Sequence, residues 1–564
     1  MRMTAWVTEN KSQQNEGGSN LSQVPVIVLR EDTERTRGRD AQRNNIMAAI
    51  VIAEAVKSAL GPKGMDKMLV DGFGDITVSN DGATILKEMD VAHPAAKMVI
   101  EVAKTVDDEV GDGTTTAAIL TGDLLKQAET LLDQKIHPTT IISGYRKATE
   151  KALDVIDKVA EKVDPSSADY KKILIDVAKT SMSSKFVSGS RDSLAKTVVE
   201  AVLAIHKDLP EGEELNVENI PRQKQVGMQV DKTELVRGLV LDKEVVHAGM
   251  PKKVQNAKIA LLECALEVTK TEFDAKISIS DPTSMQSFLD EEERMLKSMV
   301  DRIVEAGANV VVAQKGIDDV VQHYLAKHGI LAVRRIKKSD VERVHKTTGA
   351  SIVSKIQNLS ADDLGKAELV EQRQVGDDKM LFIEGTPNSS VVTLLVRGGT
   401  DHIVDEVDRA LNDALHVVKD VVMHPYVTYG GGALASEISH QLRNYASKLE
   451  GREQYAVNAF ADAVESLPTT LAENAGLDPI DVIVGLRKAH SDGLLTHGLN
   501  IDKGKPDDMK KARVVESALV NRQIVMSAAE AAQMILKIDD VISVKGGAGM
   551  GGGGPEGDFG GDDE

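Results

Sequence analysis

The sequence predicts a mixed α and α/β protein, and three observations predict it. Residues 41–163 carry apolar positions at helical spacing, interrupted by short glycine turns. From about residue 236 to 385, strand-like and helical runs alternate and include a βαβ unit. After Val396 the helical spacing returns. At 564 residues the chain exceeds what one core can hold and predicts two to four domains. The order suits an α/β domain inserted within a helical one, although local patterns leave open whether the two helical parts join.

The elements follow in order from local signals. Ala41–Leu60 reads as a helix that stops at Gly61-Pro62-Lys63-Gly64. Met68–Val70 and Ile76–Val78, separated by Asp71-Gly72, read as a hairpin, and Asn80-Asp81-Gly82 turns into a short helix at Ala83–Glu88. A helix begins at Pro94, with Val99, Val102, Ala103 and Val106 on one face. Gly111-Asp112-Gly113 breaks it before a helix from Thr114 to about Leu132, and helices dominate again over 139–163. In the middle region Lys258–Cys264, Asn309–Val312 and Ile330–Ile336 read as strands, Met285–Ala306 and Asp318–Lys327 as helices. After Val391–Val396 the helical pattern returns, over 401–422, 434–449, 454–467 and 479–488. The tail after Lys545 holds ten glycines in nineteen residues, buries almost nothing and predicts a flexible end.

Composition excludes several function classes. A net charge of −20 argues against nucleic acid as a main partner. An acidic surface also fits adaptation to high salt, in which screening relieves self-repulsion, as in a halophile; an ordinary acidic protein is the plainer reading. The single cysteine, Cys264, excludes an internal disulfide and sits in an apolar run that suits an inert thiol. No apolar stretch has the length of a membrane span, and residues 1–20, which hold Trp6, lack a signal peptide's apolar centre. They read as a disordered extension, and the expected location is the cytoplasm.

Gly111-Asp112-Gly113-Thr114-Thr115-Thr116 is the most informative run. Its glycines let successive N–H groups face a phosphate, and the helix that follows adds its positive end and first-turn donors. Asp112 would be misplaced beside phosphates unless a cation such as Mg²⁺ lay between them. The plain alternative is a turn with a helix cap; the Walker P-loop pattern is absent. Asn80–Thr84 and Tyr429–Ala433 have similar shapes but are individually common turns, and Asp413 reads as an ordinary solvent-facing helix acid. The 285–303 helix has apolar stripes, Phe288, Met295 and Met299 beside Leu289, Leu296 and Val300, next to the acids of 290–293. Core packing is the default reading; a Met-containing surface for exposed hydrophobic chains is the sharper one.

Taken together, these loops resemble those of the group II chaperonins, the archaeal thermosome subunits, from about Pro25 to Lys545. Leu60–Leu69, Asn80–Leu86, Gly111–Thr116, Thr180–Lys185, Gly430–Gly432 and Asn474–Pro479 match the family's segments in order. The resemblance implies a helical equatorial domain (21–164 and 424–545), a small intermediate domain (165–235 and 389–423) and an α/β apical domain (236–388). The apical domain would carry a helical protrusion near 280–297 as a lid, and 546–564 would form a tail projecting into a central cavity. The implied cofactors are ATP and Mg²⁺, with K⁺ a further candidate. Leu60, Gly61, Pro62, Gly431, Gly432, Asn474 and Ala475 would line the nucleotide, with Gly113, Thr114, Thr115 and Thr116 on its phosphates. Asp112 would hold Mg²⁺, Asp81 and Asp413 would flank the attacking water with Asp413 as base, Lys185 would report on the γ-phosphate, and Ser184 would bind the nucleotide from the same loop. Glu516 would meet the ribose, although Ser517-Ala518 follows where the family usually has Pro-Leu. The implied function is an ATP-dependent chaperone for non-native polypeptides, assembled with itself or paralogous subunits in a double ring of eight or nine per ring. The rivals are a ring-shaped scaffold with an idle nucleotide site and a metabolic ATP-dependent transferase.

Overall fold

The computed structural model describes residues 33–184, 189–207, 209, 213–268, 282–388 and 391–544. The expectations for residues 1–20, Lys185, positions 280–281 and the glycine tail lie outside them. The chain forms two units. In the smaller one, Thr33–Arg37 pairs antiparallel with Asp540–Val544, and Arg35 Nε donates to Asp540 Oδ1 at 2.9 Å.

The larger unit, Gln42–Ile538, contains helices from both ends of the sequence in one apolar core. The Thr114–Asp133 helix runs through its centre and is buried along most of its length. Around it pack Pro94–Val110, Pro138–Val159, Glu453–Asn474 and Ala518–Leu536. Tyr145 meets Phe460 edge-on with ring centroids 5.5 Å apart, and its hydroxyl donates to Leu124 O at 2.7 Å. The helical parts that flank the α/β region in sequence therefore join, because neither could bury its apolar face alone.

The middle region is a seven-stranded sheet. Six strands run in the order Leu331–Val333, Val310–Ala313, Lys253–Leu262, Gly365–Val375, Asp378–Glu384 and Gly238–Leu241, with Ile352–Val353 also on Lys253–Leu262. Alternation sends Ala260, Leu262, Val311 and Ala313 to one core, with Val300 and Ile303, and Ile259, Leu261, Val310 and Val312 to the other. Three boundaries differ from expectation. The strand expected to reach Ile336 stops at Val333, two residues before Arg335 takes a left-handed φ of 56°. Cys264 falls just past its strand and is only half-buried, its thiol pushed up by burial. The long helix spans Pro282–Ala306 and its stripes divide: Leu296, Val300 and Ile303 are core, whereas Phe288, Leu289 and Met295 are exposed. Arg222–Val226, Thr393–Gly398 and Glu234–Val236 form a separate three-stranded sheet, whose central strand leads into the Asp401–Met423 helix.

Candidate nucleotide site

The Asp401–Met423 helix organises one half of the site. Glu406, Arg409, Asp413, His416 and Asp420 recur at helical spacing along one face. At one end of that face, Ser79 Oγ donates to Glu406 at 3.2 Å and Arg409 donates to Val78 O at 3.3 Å. These contacts fix the strand Ile76–Ser79 that delivers Asn80 and Asp81. Further along the helix, the His416 ring fills the space where a side chain at Gly111 would stand. The loops bearing Asp81 and Asp112 thus dock on either side of Asp413. Asp413 is 7% exposed, which corrects its reading as a solvent-facing acid.

The two loops also touch each other. Asp81 caps the Gly82–Glu88 helix, with Oδ2 accepting from Thr84 N and Thr84 Oγ1, both at 2.8 Å. Its Oδ1 accepts from Thr114 Oγ1 at 3.2 Å, and a Cβ at Gly82 would stand 2.5 Å from Thr115 Oγ1. Thr116 lies in the same first helical turn. Asn80 Nδ2 donates to the carbonyl of Ser184, so the 3₁₀ turn Met182–Ser184 meets this cluster too.

Two helix N-termini bear directly on anion binding. Thr114–Asp133 begins after Gly113 at φ 82°, and Ala433–Ala446 begins after Gly432 at φ 75°. Neither start has a side-chain cap, and both are in the left-handed region that favours glycine. Their first-turn N–H groups retain the capacity and the positive dipole end that a phosphate requires.

The remaining predicted residues gather on the C-terminal end of Glu453–Asn474. Asn474 Nδ2 donates to Leu60 O at 2.9 Å and Lys57 O at 3.0 Å, holding the Leu60-Gly61-Pro62 turn. Gly61 packs on Leu471 and Gly432 on Pro468 of that helix, Ala475 is its C-cap, and Gly431 O accepts from Leu499 N at 2.7 Å. The Glu516 carboxylate occupies the space beside Gly430 and accepts from Asn521 Nδ2 at 3.0 Å.

Electrostatics give the site its sign. Burial, opposed by Lys419 and reinforced by Asp112, pushes the Asp420 carboxyl up to about 7. Burial likewise raises Glu516, with Asn521 opposing and Asp112 adding to the rise. Asp112 therefore lies where its own charge disfavours two neighbouring carboxylates, and a bound cation would relieve all three. Among the described residues no group of three or more carboxylates, histidines or cysteines is placed to hold a metal ion alone, so a hard divalent ion beside Asp112 and the uncapped helix start would draw its remaining ligands from phosphate and water oxygens. Sequence reasoning missed Asp420, which no motif marks; its spacing of seven from Asp413 places it on the same face. A cleft of about 790 Å³ lies elsewhere, between Gly227–Asp231, Gly399 and Ile403, and holds none of the predicted residues.

The TCP-1/cpn60 chaperonin family profile matches residues 52–546. Thermosome subunit beta of Archaeoglobus fulgidus is 56% identical over 95% of this chain and 98% of its own length. Thermosome subunit alpha of the same organism is 54% identical over 96% and 99%, and a thermosome subunit of Methanopyrus kandleri 55% over 92% and 95%.

Proposed function

Because the chain belongs to the TCP-1/cpn60 chaperonin family, as a group II thermosome subunit acting in an ATP-dependent ring chaperone, we propose that the site described above binds and hydrolyses Mg-ATP. The phosphates lie on Gly113–Thr116, with Asp112 holding Mg²⁺. When bound, Mg²⁺ neutralises phosphate charge and orients the transferring group. Leu60, Gly61, Pro62, Gly431, Gly432, Asn474 and Ala475 line the nucleotide, Glu516 meets the ribose, Lys185 senses the γ-phosphate, and Ser184 stands beside that lysine in the same loop. Asp81 and Asp413 flank the attacking water, and Asp413 takes its proton.

The observation that carries this reading is the docking of both acidic loops on one helix, on either side of a buried Asp413. Motion of that helix would couple the chemistry to the rest of the subunit. Residues 165–235 and 389–423 act as the intermediate domain between the equatorial segments (21–164, 424–545) and the apical one (236–388). Exposed Phe288, Leu289 and Met295 on the apical helix supply an apolar surface for non-native polypeptides. ATP or its hydrolysis intermediate must bind the closed ring more tightly than the open one to drive closure. The ring is double, with eight or nine subunits each, and works in the cytoplasm; the described residues include no helix long and apolar enough to cross a membrane.

Refolding of a denatured client tests the proposal. Recovery should require ATP, Mg²⁺ and the assembled particle, and Asp112→Asn should abolish it. Equal recovery with ADP, or without Mg²⁺, would leave only a passive binding scaffold.

A further inference from the structure

Asn80 is 4% exposed, and its amide has one side engaged and one side bare. Nδ2 donates to the carbonyl of Ser184, which can only accept, so the orientation of the amide is fixed by chemistry. Oδ1 then has no hydrogen-bond donor among the described residues. A buried acceptor left unmade is costly, and such atoms are rare unless something else fills the position. The neighbouring carboxylate is differently committed: Asp81 accepts from Thr84 N, Thr84 Oγ1 and Thr114 Oγ1, three hydrogen bonds that hold the loop itself. On this loop, Asn80 Oδ1 is the buried side-chain oxygen that meets no donor among the described residues. Asn80 belongs to the loop whose Asp81 and Gly82 meet Thr114 and Thr115, and its amide nitrogen reaches the turn ending at Ser184.

We propose that Asn80 is a further catalytic residue, whose Oδ1 accepts a hydrogen bond from the water that attacks the γ-phosphoryl group. The inference rests on the Mg-ATP reading of the site and extends it. In the step, the water oxygen bonds to the γ-phosphorus while the bond to the β,γ-bridging oxygen breaks. One water proton passes to the Asp413 carboxylate, and the other O–H points at Asn80 Oδ1. The products are ADP and inorganic phosphate. Asn80 exchanges no proton; it restricts the water to an in-line approach, as phosphoryl transfer demands positioning more than covalent chemistry. Through Nδ2 the same amide registers the position of Ser184, so the water would be held only when that turn is in place.

The test compares two analogues on the intact particle, in Mg²⁺. ADP with aluminium fluoride mimics the transition state and includes the in-line water; ADP with beryllium fluoride mimics the ground state and does not need it. Asn80→Ala should weaken the aluminium fluoride complex roughly ten-fold, as for one lost hydrogen bond to a strongly polarised partner. The beryllium fluoride complex should stay within about two-fold to three-fold. Asn80→Ser, which keeps the buried position polar, should show the same split and stands in should the alanine variant fail to assemble. Equal weakening of both complexes would overturn the proposal and leave Asn80 as a tether for Ser184, and no change in either would overturn it outright. Wild-type protein that binds neither analogue would refute the nucleotide site itself, a separate failure visible before any variant is made.

Discussion

Adding one methyl group at Gly113 probes the proposed phosphate loop more sharply than removing a charged side chain. Gly113 has φ 82° and ψ 8°, and a Cβ there would stand 2.5 Å from Ile524 Cδ1, 3.0 Å from Ile524 Cγ1 and 3.2 Å from Val520 Cγ1. Holding alanine in the left-handed region costs about 1–2 kcal/mol. The overlap costs about 1 kcal/mol more, the low end for overpacking, because the nearest atom is the far end of a flexible side chain. The total is about 2–3 kcal/mol. If the loop escapes by leaving its conformation, the loss appears as nucleotide affinity weakened by roughly 30-fold to 150-fold. If the loop stays, the loss appears as a lower unfolding temperature. Equilibrium binding of a fluorescent ATP analogue and thermal unfolding of the same samples together account for it. Ile524→Val removes the clashing Cδ1, so the Gly113→Ala, Ile524→Val double variant should recover about 1 kcal/mol relative to additivity. A Gly113→Ala protein with wild-type affinity and wild-type unfolding temperature would refute the reasoning.

Four other perturbations have defined outcomes. Asn474→Ala removes two hydrogen bonds to the Leu60 turn and should weaken nucleotide binding several-fold without dissociating the ring, read by titration and native mass spectrometry. The Asp420 carboxyl is raised in the folded state from 3.8 to about 7, chiefly by burial, so folding favours its protonated form. Its penalty is absent at pH below about 4, grows up to about pH 7 and is constant above; the gain in unfolding temperature of Asp420→Asn in metal-free buffer should follow that course. Phe73 is 97% exposed at the tip of the Lys67–Val70/Ile76–Ser79 hairpin, so Phe73→Ser should alter subunit stability by no more than about 0.5 kcal/mol yet weaken ring assembly on sizing columns. If the charge of −20 reflects salt adaptation, the particle should lose structure by circular dichroism in dilute buffer and regain it in molar KCl.

Legibility in the sequence followed the range of the interactions. The Gly111–Thr116 loop was readable because its requirements are local: positive φ, closely spaced N–H groups and hydroxyls must be contiguous. Asp413 was not readable from its surroundings, because an acid on a helix shows no sign of burial until Ser79 and His416 reveal what docks beside it. Periodicity reads it as solvent-facing, which its burial corrects, and its role as a base stands as what the family resemblance implies. The short strands Glu161–Lys162 and Val515–Ser517, which flank Tyr426–Tyr429 and align its glycine loop, escaped because two or three residues carry no periodic signal. Tyr145 against Phe460 joined the helical halves across more than three hundred residues, a contact beyond any local window.

The most direct measurement of the central claim is ATP hydrolysis by the purified particle in Mg²⁺ and high KCl, beside Asp413→Ala, with particle size recorded on the same samples. Turnover should be slow and confined to a ring-sized particle, and should fall by roughly a hundred-fold or more in the variant while the ring persists, an order of magnitude suited to removing a general base. Undiminished turnover in Asp413→Ala, or activity confined to a small particle, would contradict the central claim.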